Sequence, residues 1–171
     1  MAKWHATRHV RLPWPRSRLT GNIAGDVVSS MMRMVLDTDV IVAAMRSPGG
    51  ASAALVVRLL NHEATILLSV APALEYEAVC LRPEHRLAAQ ATVHDVADLI
   101  DAIVDAIEPV DVHYQWRPQL SDPGDEIVLE AAVNGQADAI VTFNRKDFGT
   151  APGRFGVEVL RPAEALRRIR I

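Results

Sequence analysis

The sequence predicts an α/β protein in which a central, mainly parallel sheet is covered by helices on both faces. From residue 34 onward, short apolar runs alternate with stretches of helical periodicity, which is typical of strands joined by crossover helices. The chain has 171 residues, half of them apolar, so it can bury the core of one domain. We therefore expect a three-layer α/β/α sandwich over residues 34–171.

The individual elements follow from the same pattern. Apolar runs predict strands at 34–37, 64–69, 109–114, 139–142 and 157–160. Helices are expected at 51–60, from Pro72 onward, at 92–107, at 125–134 with Gly135 as the C-cap, and from Pro162 onward. The stretch 92–107 is amphipathic, because its apolar residues recur at steps of three and four and its aspartates lie mostly on the other side.

Residues 1–33 stand apart from this alternation. They contain six Lys or Arg residues and one acid, Asp26, so the rest of the chain sums to −8 from twelve basic and twenty acidic residues. Their apolar residues are scattered and form no secretory signal. Because Met31, Met32 and Met34 immediately precede the first strand, we expect a disordered extension or an over-long start assignment.

Cysteine content and hydropathy indicate the compartment. Cys80 is the only cysteine, so no internal disulfide can form, and a reducing cytoplasm fits best. No apolar run approaches the ~20 residues of a membrane helix, because Asp, Arg or His interrupts each candidate. We expect a cytoplasmic protein with no membrane span.

Acidic and amide side chains follow four of the predicted junctions between strands and helices. They are Asp37, Glu75, Asp122, Asp125, Asn144 and Asp147. Because the carboxyl ends of parallel strands meet at one edge of the sheet, these side chains are expected to converge there. Crowded carboxylates raise one another's pKa unless a cation neutralises them. Oxygen ligands without Cys or His favour Mg²⁺ or Mn²⁺, and such an ion would promote phosphodiester hydrolysis.

Each of these residues alone is weak evidence, since an Asp at a helix start is usually a cap or a surface charge. Four segments, however, resemble the motifs of PIN-domain nucleases in order and spacing. They are residues 35–40 (VLDTDV), 69–76 (SVAPALEY), 122–132 (DPGDEIVLEAA) and 137–148 (ADAIVTFNRKDF). The resemblance extends over residues 34–168 and includes the closing strand and helix.

The resemblance implies a PIN fold, Mg²⁺- or Mn²⁺-dependent cleavage of RNA, and kinship with VapC-like toxins of bacterial toxin–antitoxin pairs. The implied partners are an RNA substrate and a cognate antitoxin protein, and the resemblance alone leads us to expect a homodimer. It maps Asp37, Glu75 and Asp125 onto the acidic metal ligands of the family, and we predict that these three are catalytic.

Two positions depart from the family pattern. Asn144 stands where many members have a fourth Asp, so either its amide oxygen binds, or Asp147 takes over, or the metal is held weakly. Asp39 replaces the common Asn and adds a charge that would help to bind a second ion. The hydroxyls of Thr38 and Thr142 would orient ligands or a water.

Two other functions fit parts of the pattern. A phosphatase of the haloacid-dehalogenase type would use the Asp37-Thr38-Asp39 sequence after a strand, but no Gly-Asp motif follows Lys146 as that class requires. A PIN-like RNA- or protein-binding module that has lost its metal is suggested by Asn144. Its signature would be an absence of cleavage at any concentration of divalent ion.

Several other residues receive structural interpretations from the sequence. Tyr76 is predicted to lie in the core, Trp116 to be partly packed and His113 to lie on the surface. Glu77 and Glu130 are interpreted as exposed helix residues. A set of basic residues would either form a phosphate-binding rim or be solvated charges: Arg82, Arg86, Arg145, Lys146 and Arg154.

Overall fold

Five short strands form one parallel sheet in this computed structural model, which describes residues 31–169. The strands are β1 (Arg33–Leu36), β2 (Thr65–Leu68), β3 (Ile107–Pro109), β4 (Ala139–Val141) and β5 (Glu158–Leu160). Their order is β3-β2-β1-β4-β5, and every neighbouring pair is parallel. The first strand therefore lies at the centre, and the strand order reverses on either side of it. Such a switch point is where open α/β sheets place their ligands.

Helices cover both faces of this sheet. They are α1 (Thr38–Arg46), α2 (Ala51–Leu60), α3 (Val70–Cys80), α4 (Pro83–Ala89), α5 (Val93–Ala106), α6 (Pro123–Asn134), α7 (Arg145–Phe148) and α8 (Pro162–Arg168). A 3-10 turn at Pro152–Phe155 precedes β5. The predicted three-layer α/β/α sandwich with a parallel sheet is confirmed.

Alternate residues of β1 contribute to two separate cores. Met34 and Leu36 belong to the larger core with α1, α2, α3, α5 and α8, whereas Val35 belongs to the smaller core with α6. All three side chains are fully buried. Burying one such side chain contributes roughly 1.5–3 kcal/mol. A strand buried on both faces has no polar alternation, which is why β1 appears in the sequence as a continuous apolar run.

Helices α1 and α4, and the single turn of α7, are absent from the predicted set. In α1 the residues that are not buried, Asp39, Ala43 and Arg46, recur at steps of four and three and form one narrow face, a helical signal that the sequence analysis missed. In α4 none of the residues is buried, so no apolar face produces a periodic signal.

The third strand was predicted at 109–114, and this placement is wrong. The strand is Ile107–Pro109, pairing with β2, and a loop follows it across α6. In that loop the backbone N–H groups of His113 and Tyr114 donate to Oδ1 of Asn134, each at 3.1 Å. The backbone leaves the sheet because side chains of α6 satisfy its donors in place of a neighbouring strand.

The interpretation of Glu130 as an exposed residue is also wrong. Its side chain is buried, and both carboxylate oxygens accept hydrogen bonds from Arg117 of the loop, at 2.7 and 2.8 Å. The partner is thirteen residues away along the chain, so no local pattern indicates the pair. The other interpretations hold: Tyr76 is core, Glu77 and His113 are exposed, and Trp116 is 40% exposed and packs against the ring of Phe155.

The expected N-terminal extension falls almost wholly outside the described residues, which begin at Met31. Within residues 31–169, no single helix has both the length and the apolar composition needed to cross a membrane. Helices α1 and α2 reach that length and composition only as a pair, across a bend of 106°.

Candidate functional site

Asp37 lies at the centre of the carboxyl edge of the sheet. It directly follows β1 and occupies the N-cap position of α1, and its backbone N–H donates to the carbonyl of Val141 at 2.9 Å. The buried hydroxyl of Tyr76 on α3 donates to the carbonyl of Leu36, the residue before Asp37. The end of β1 is therefore fixed by β4 on one side and by α3 on the other.

Thr142, which follows β4, connects two carboxylates. Its side chain is wholly buried, and Oγ1 donates to Oδ2 of Asp37 at 2.7 Å and lies 3.3 Å from Oδ2 of Asp39. The backbone N–H of Phe143 donates to the same Asp39 oxygen at 3.0 Å. These contacts hold the side chains of Asp37 and Asp39, both at the junction of β1 and α1, in defined orientations.

The start of α6 supplies two further carboxylates. Asp122 is the N-cap, and its Oδ1 accepts a hydrogen bond from the backbone N–H of Gly124 at 2.6 Å, so this residue has the structural role of a cap. Asp125 lies in the first turn and is partly buried. Four other carboxylates act on it electrostatically: Asp37, Asp122, Asp147 and Glu75.

This convergence raises the pKa values of three carboxyl groups. Burial, followed by the charges of the neighbouring carboxylates, raises the pKa of Asp125 to about 6. Burial and the charge of Asp37 raise the pKa of Asp39 to about 6, and burial also raises the pKa of Asp37 against the opposing hydrogen bond from Thr142. In residues 31–169 no Lys, Arg or His side chain forms an ion pair with any of the three. The edge therefore carries uncompensated negative charge.

Comparison with known proteins identifies the family. The family model described as "PIN domain" matches residues 33–146, which is more than half of the chain. The chain belongs to the PIN-domain family. This membership excludes the haloacid-dehalogenase alternative, because the PIN match includes the segment 37–39 on which that alternative rested.

A solved structure shares the fold of this PIN domain. A chain in the crystal structure of VapBC2 from Rickettsia felis, bound to a DNA fragment from their promoter, superposes with a TM-score of 0.54 at 15% sequence identity. The match covers 76% of this chain and 98% of that chain. No curated protein matches the sequence.

The donor set of the PIN domain suits a hard divalent ion in charge and chemistry. All the side chains that converge are oxygen donors, and Oδ1 of Asp39 is buried without a hydrogen-bond partner. Within residues 31–169, however, no three His, Cys, Asp or Glu side chains stand close enough together to ligate one ion. Mg²⁺ keeps several waters and often binds through one or two carboxylates, so the residues fit a largely hydrated ion.

The two candidates for a fourth ligand differ in placement. Asn144 is exposed at the N-cap position of α7, and its backbone N–H donates to Oγ1 of Thr142 at 2.9 Å. Asp147, also exposed, contributes to the raised pKa of both Asp37 and Asp125. Asp147 therefore acts electrostatically on the other carboxylates of the site.

Beside these carboxylates lies an open groove of about 790 Å³. Its wall includes the predicted residues Asp37, Thr38, Asp39 and Glu75, together with Arg82, and also two residues that sequence reasoning missed, namely Arg46 and His85. Arg82 was considered only as one of five basic rim residues. Arg46 and His85 lie on α1 and α4, two helices that the sequence analysis did not predict.

Proposed function

We propose that this PIN domain is a metal-dependent endoribonuclease that hydrolyses phosphodiester bonds of RNA. The observation that supports it most is the convergence of unpaired carboxylates at the switch point of the sheet. Burial and mutual repulsion raise their pKa values, so the ionised carboxylates destabilise the fold. A bound cation would offset this destabilisation. Divalent ions are typical of PIN domains, and Mg²⁺ or Mn²⁺ is the proposed cofactor.

The proposed roles follow from the position of each side chain. Asp37, Glu75 and Asp125 would hold a largely hydrated ion, in part through its bound waters, and Asp122, Asn144 and Asp147 would contribute in the same way. A bound divalent ion supplies Lewis-acid stabilisation of the charge that develops on the phosphate. Thr142 fixes the orientation of Asp37, and the backbone N–H of Phe143 fixes that of Asp39. Thr38, buried in the first turn of α1, would position the start of that helix beside the ion.

We further propose that the protein is the toxin component of a bacterial toxin–antitoxin pair. The similarity of its motifs to VapC-like toxins and its fold similarity to a chain of the VapBC2 structure support this assignment. A cognate antitoxin would inhibit it by docking over the acidic edge with a basic side chain. We also expect a homodimer and a cytoplasmic location. Co-expression with the product of a neighbouring gene tests the assignment, which predicts a stable complex and relief of growth arrest.

The nuclease itself is tested by cleavage of one structured and one unstructured RNA in Mg²⁺, in Mn²⁺ and in EDTA. Wild type is compared with Asp37→Asn and Asp125→Asn, and Glu77→Gln is the control because it removes the same charge from an exposed site on α3. The proposal predicts metal-dependent cleavage by wild type and the control only. Equal cleavage by all four proteins would indicate contamination and contradict the proposal.

A binding module without catalytic metal is the second candidate. It is favoured by the lack, in the described residues, of three side chains within ligating reach of one ion, and by Asn144 at the family's fourth acidic position. It predicts that wild type binds RNA equally well in EDTA and in Mg²⁺ without cutting it. It also predicts that Asp37→Asn leaves binding unchanged.

A further inference from the structure

The groove beside the carboxylates has a basic wall. Arg46 is the last residue of α1, Arg82 is the N-cap of α4, and His85 lies in the first turn of α4. These side chains line the same groove as Asp37 and Glu75. The lining of one groove therefore contains both guanidinium groups and carboxylates.

Most of the basic residues considered for a rim already have partners. Nε of Arg86 donates to the carbonyl of Leu81 at 3.1 Å. Arg145 pairs with Glu164 at 3.3 Å, and Arg154 donates to the side chain of Gln119 at 2.7 Å. These three arginines are engaged in holding the fold.

Arg46 and Arg82, the two arginines of the groove, differ from these three engaged arginines. Within residues 31–169, neither Arg46 nor Arg82 forms an ion pair or a side-chain hydrogen bond, and both are exposed. In the same wall, Nδ1 of His85 is buried without a hydrogen-bond partner. This wall thus has unused hydrogen-bonding capacity next to the carboxylates. A guanidinium group presents five donors in a planar fork that matches the geometry of a phosphate.

A ligand that fills this groove has to interact favourably with both the basic and the acidic side chains. A small anion would bind the arginines but would be repelled by the carboxylates, whereas a polynucleotide can place one phosphate at each wall when a cation neutralises the acidic one. We propose that Arg46 and Arg82 bind backbone phosphates of the RNA strand on one side of the scissile bond. This inference rests on the proposed ribonuclease function, which it extends by assigning the path of the substrate.

The test is binding of a short, fluorescently labelled single-stranded RNA of mixed sequence, measured by anisotropy in EDTA over a range of NaCl concentrations. Each neutralised phosphate contributes about 0.7 to the slope of log Kd against log salt for a single strand. Arg46→Gln and Arg82→Gln should therefore each reduce the slope by about 0.7, and the double variant by about 1.4. Arg82→Lys, which keeps the charge, should retain the wild-type slope.

Arg167→Gln is the matched control, because Arg167 is an exposed arginine on α8 outside this groove. It should leave the slope unchanged. In Mg²⁺ or Mn²⁺, Arg82→Gln should raise KM with little change in kcat, since a phosphate contact binds substrate and transition state alike. Thermal melting of each variant verifies that the fold is intact.

The outcomes separate the two proposals. Wild-type cleavage together with unchanged slopes in both Arg→Gln variants would overturn the arginine assignment and leave the nuclease standing. Reduced slopes without wild-type cleavage in either metal would support the arginine contacts and overturn the nuclease. An equal slope reduction in Arg167→Gln would show that net charge alone accounts for the effect, and would also overturn the assignment.

Discussion

The two edges of the central sheet shift the pKa values of their carboxylates in opposite directions. At the amino edge, Arg33 donates to both oxygens of Glu108 at 2.9 and 2.7 Å, and its backbone N–H donates to Asp138 at 2.7 Å. The guanidinium group lowers the pKa of Glu108. At the carboxyl edge, the pKa values of Asp39 and Asp125 are raised to about 6, and no described cation pairs with them.

This difference separates residues that stabilise the fold from residues that serve a ligand. A carboxylate with a lowered pKa contributes to stability, whereas one with a raised pKa costs stability at neutral pH. Groups that are kept at a cost to the fold are concentrated at functional sites. The comparison therefore predicts that equivalent substitutions at the two edges have effects of different size or opposite sign.

The largest effect is expected for Thr142→Val. The substitution keeps the volume of a fully buried side chain but removes the hydrogen bond to Asp37, so the carboxylate loses its orientation. Loss of such an orienting partner typically lowers metal affinity or activity by about 10–100-fold. RNA cleavage and Mn²⁺ titration measure it. Thr65→Val, at the amino edge, is the control and should match wild type; a similar loss there would refute a specific role for Thr142.

Tyr76→Phe tests whether neutral hydrogen bonds hold the carboxyl edge. The variant leaves the carbonyl of Leu36 without its buried donor, which should lower the free energy of unfolding by about 1–2 kcal/mol. Urea unfolding at low and high salt should give the same loss, because no ion pair is involved. Tyr114→Phe is the control, since that side chain is exposed. A loss that disappears at high salt would contradict this interpretation.

Removing one charge at each edge should change stability in opposite directions. In EDTA at pH 7, Asp125→Asn should raise the free energy of unfolding by about 1 kcal/mol, a value discounted for the partial exposure of the group. Glu108→Gln should lower it by about 0.5 kcal/mol, as expected for an exposed ion pair. Chemical denaturation measures both. Changes of the same sign in the free energy of unfolding would contradict the proposed difference between the two edges.

The same contrast predicts a pH dependence. In the native state burial and the neighbouring carboxylates raise the pKa values of Asp39 and Asp125 to about 6, from the ordinary value of 3.8 for an Asp side chain. The native state favours the protonated form of these two carboxyls. Their contribution to stability is therefore fully present below pH 3.8 and is lost as they ionise while the pH rises through about 6. In EDTA, wild type should lose stability relative to Asp39→Asn/Asp125→Asn over this range. A constant difference between the two proteins would show that these carboxyls titrate normally.

The sequence was informative where one local pattern decides the structure. The apolar runs at β1, β2, β4 and β5 and the amphipathic stretch of α5 were sufficient to predict the sheet, and the strand-end rule directed attention to Asp37 and Asp125. Their electrostatic convergence in the structure agrees with that expectation. Their role as metal ligands stays a prediction.

The sequence was uninformative where distant segments decide the structure. The loop after β3 is held by Asn134 and by the pair of Arg117 with Glu130, and neither contact has a local signature. The predicted set of basic residues lacked Arg46 and His85, which lie on α1 and α4, two helices that were not predicted from the sequence. Which arginines are already paired could be read only from the three-dimensional contacts.

Calorimetric titration of Mg²⁺ and of Mn²⁺ into metal-free protein near pH 6 tests the carboxyl edge as a metal site most directly. Saturable binding is predicted for wild type and for Glu108→Gln, with release of protons from the carboxyls whose pKa values are about 6. The same binding should raise the melting temperature. Asp37→Asn should abolish both effects. Absence of binding to wild type, or equal binding to Asp37→Asn, would contradict the assignment of a divalent metal to this edge.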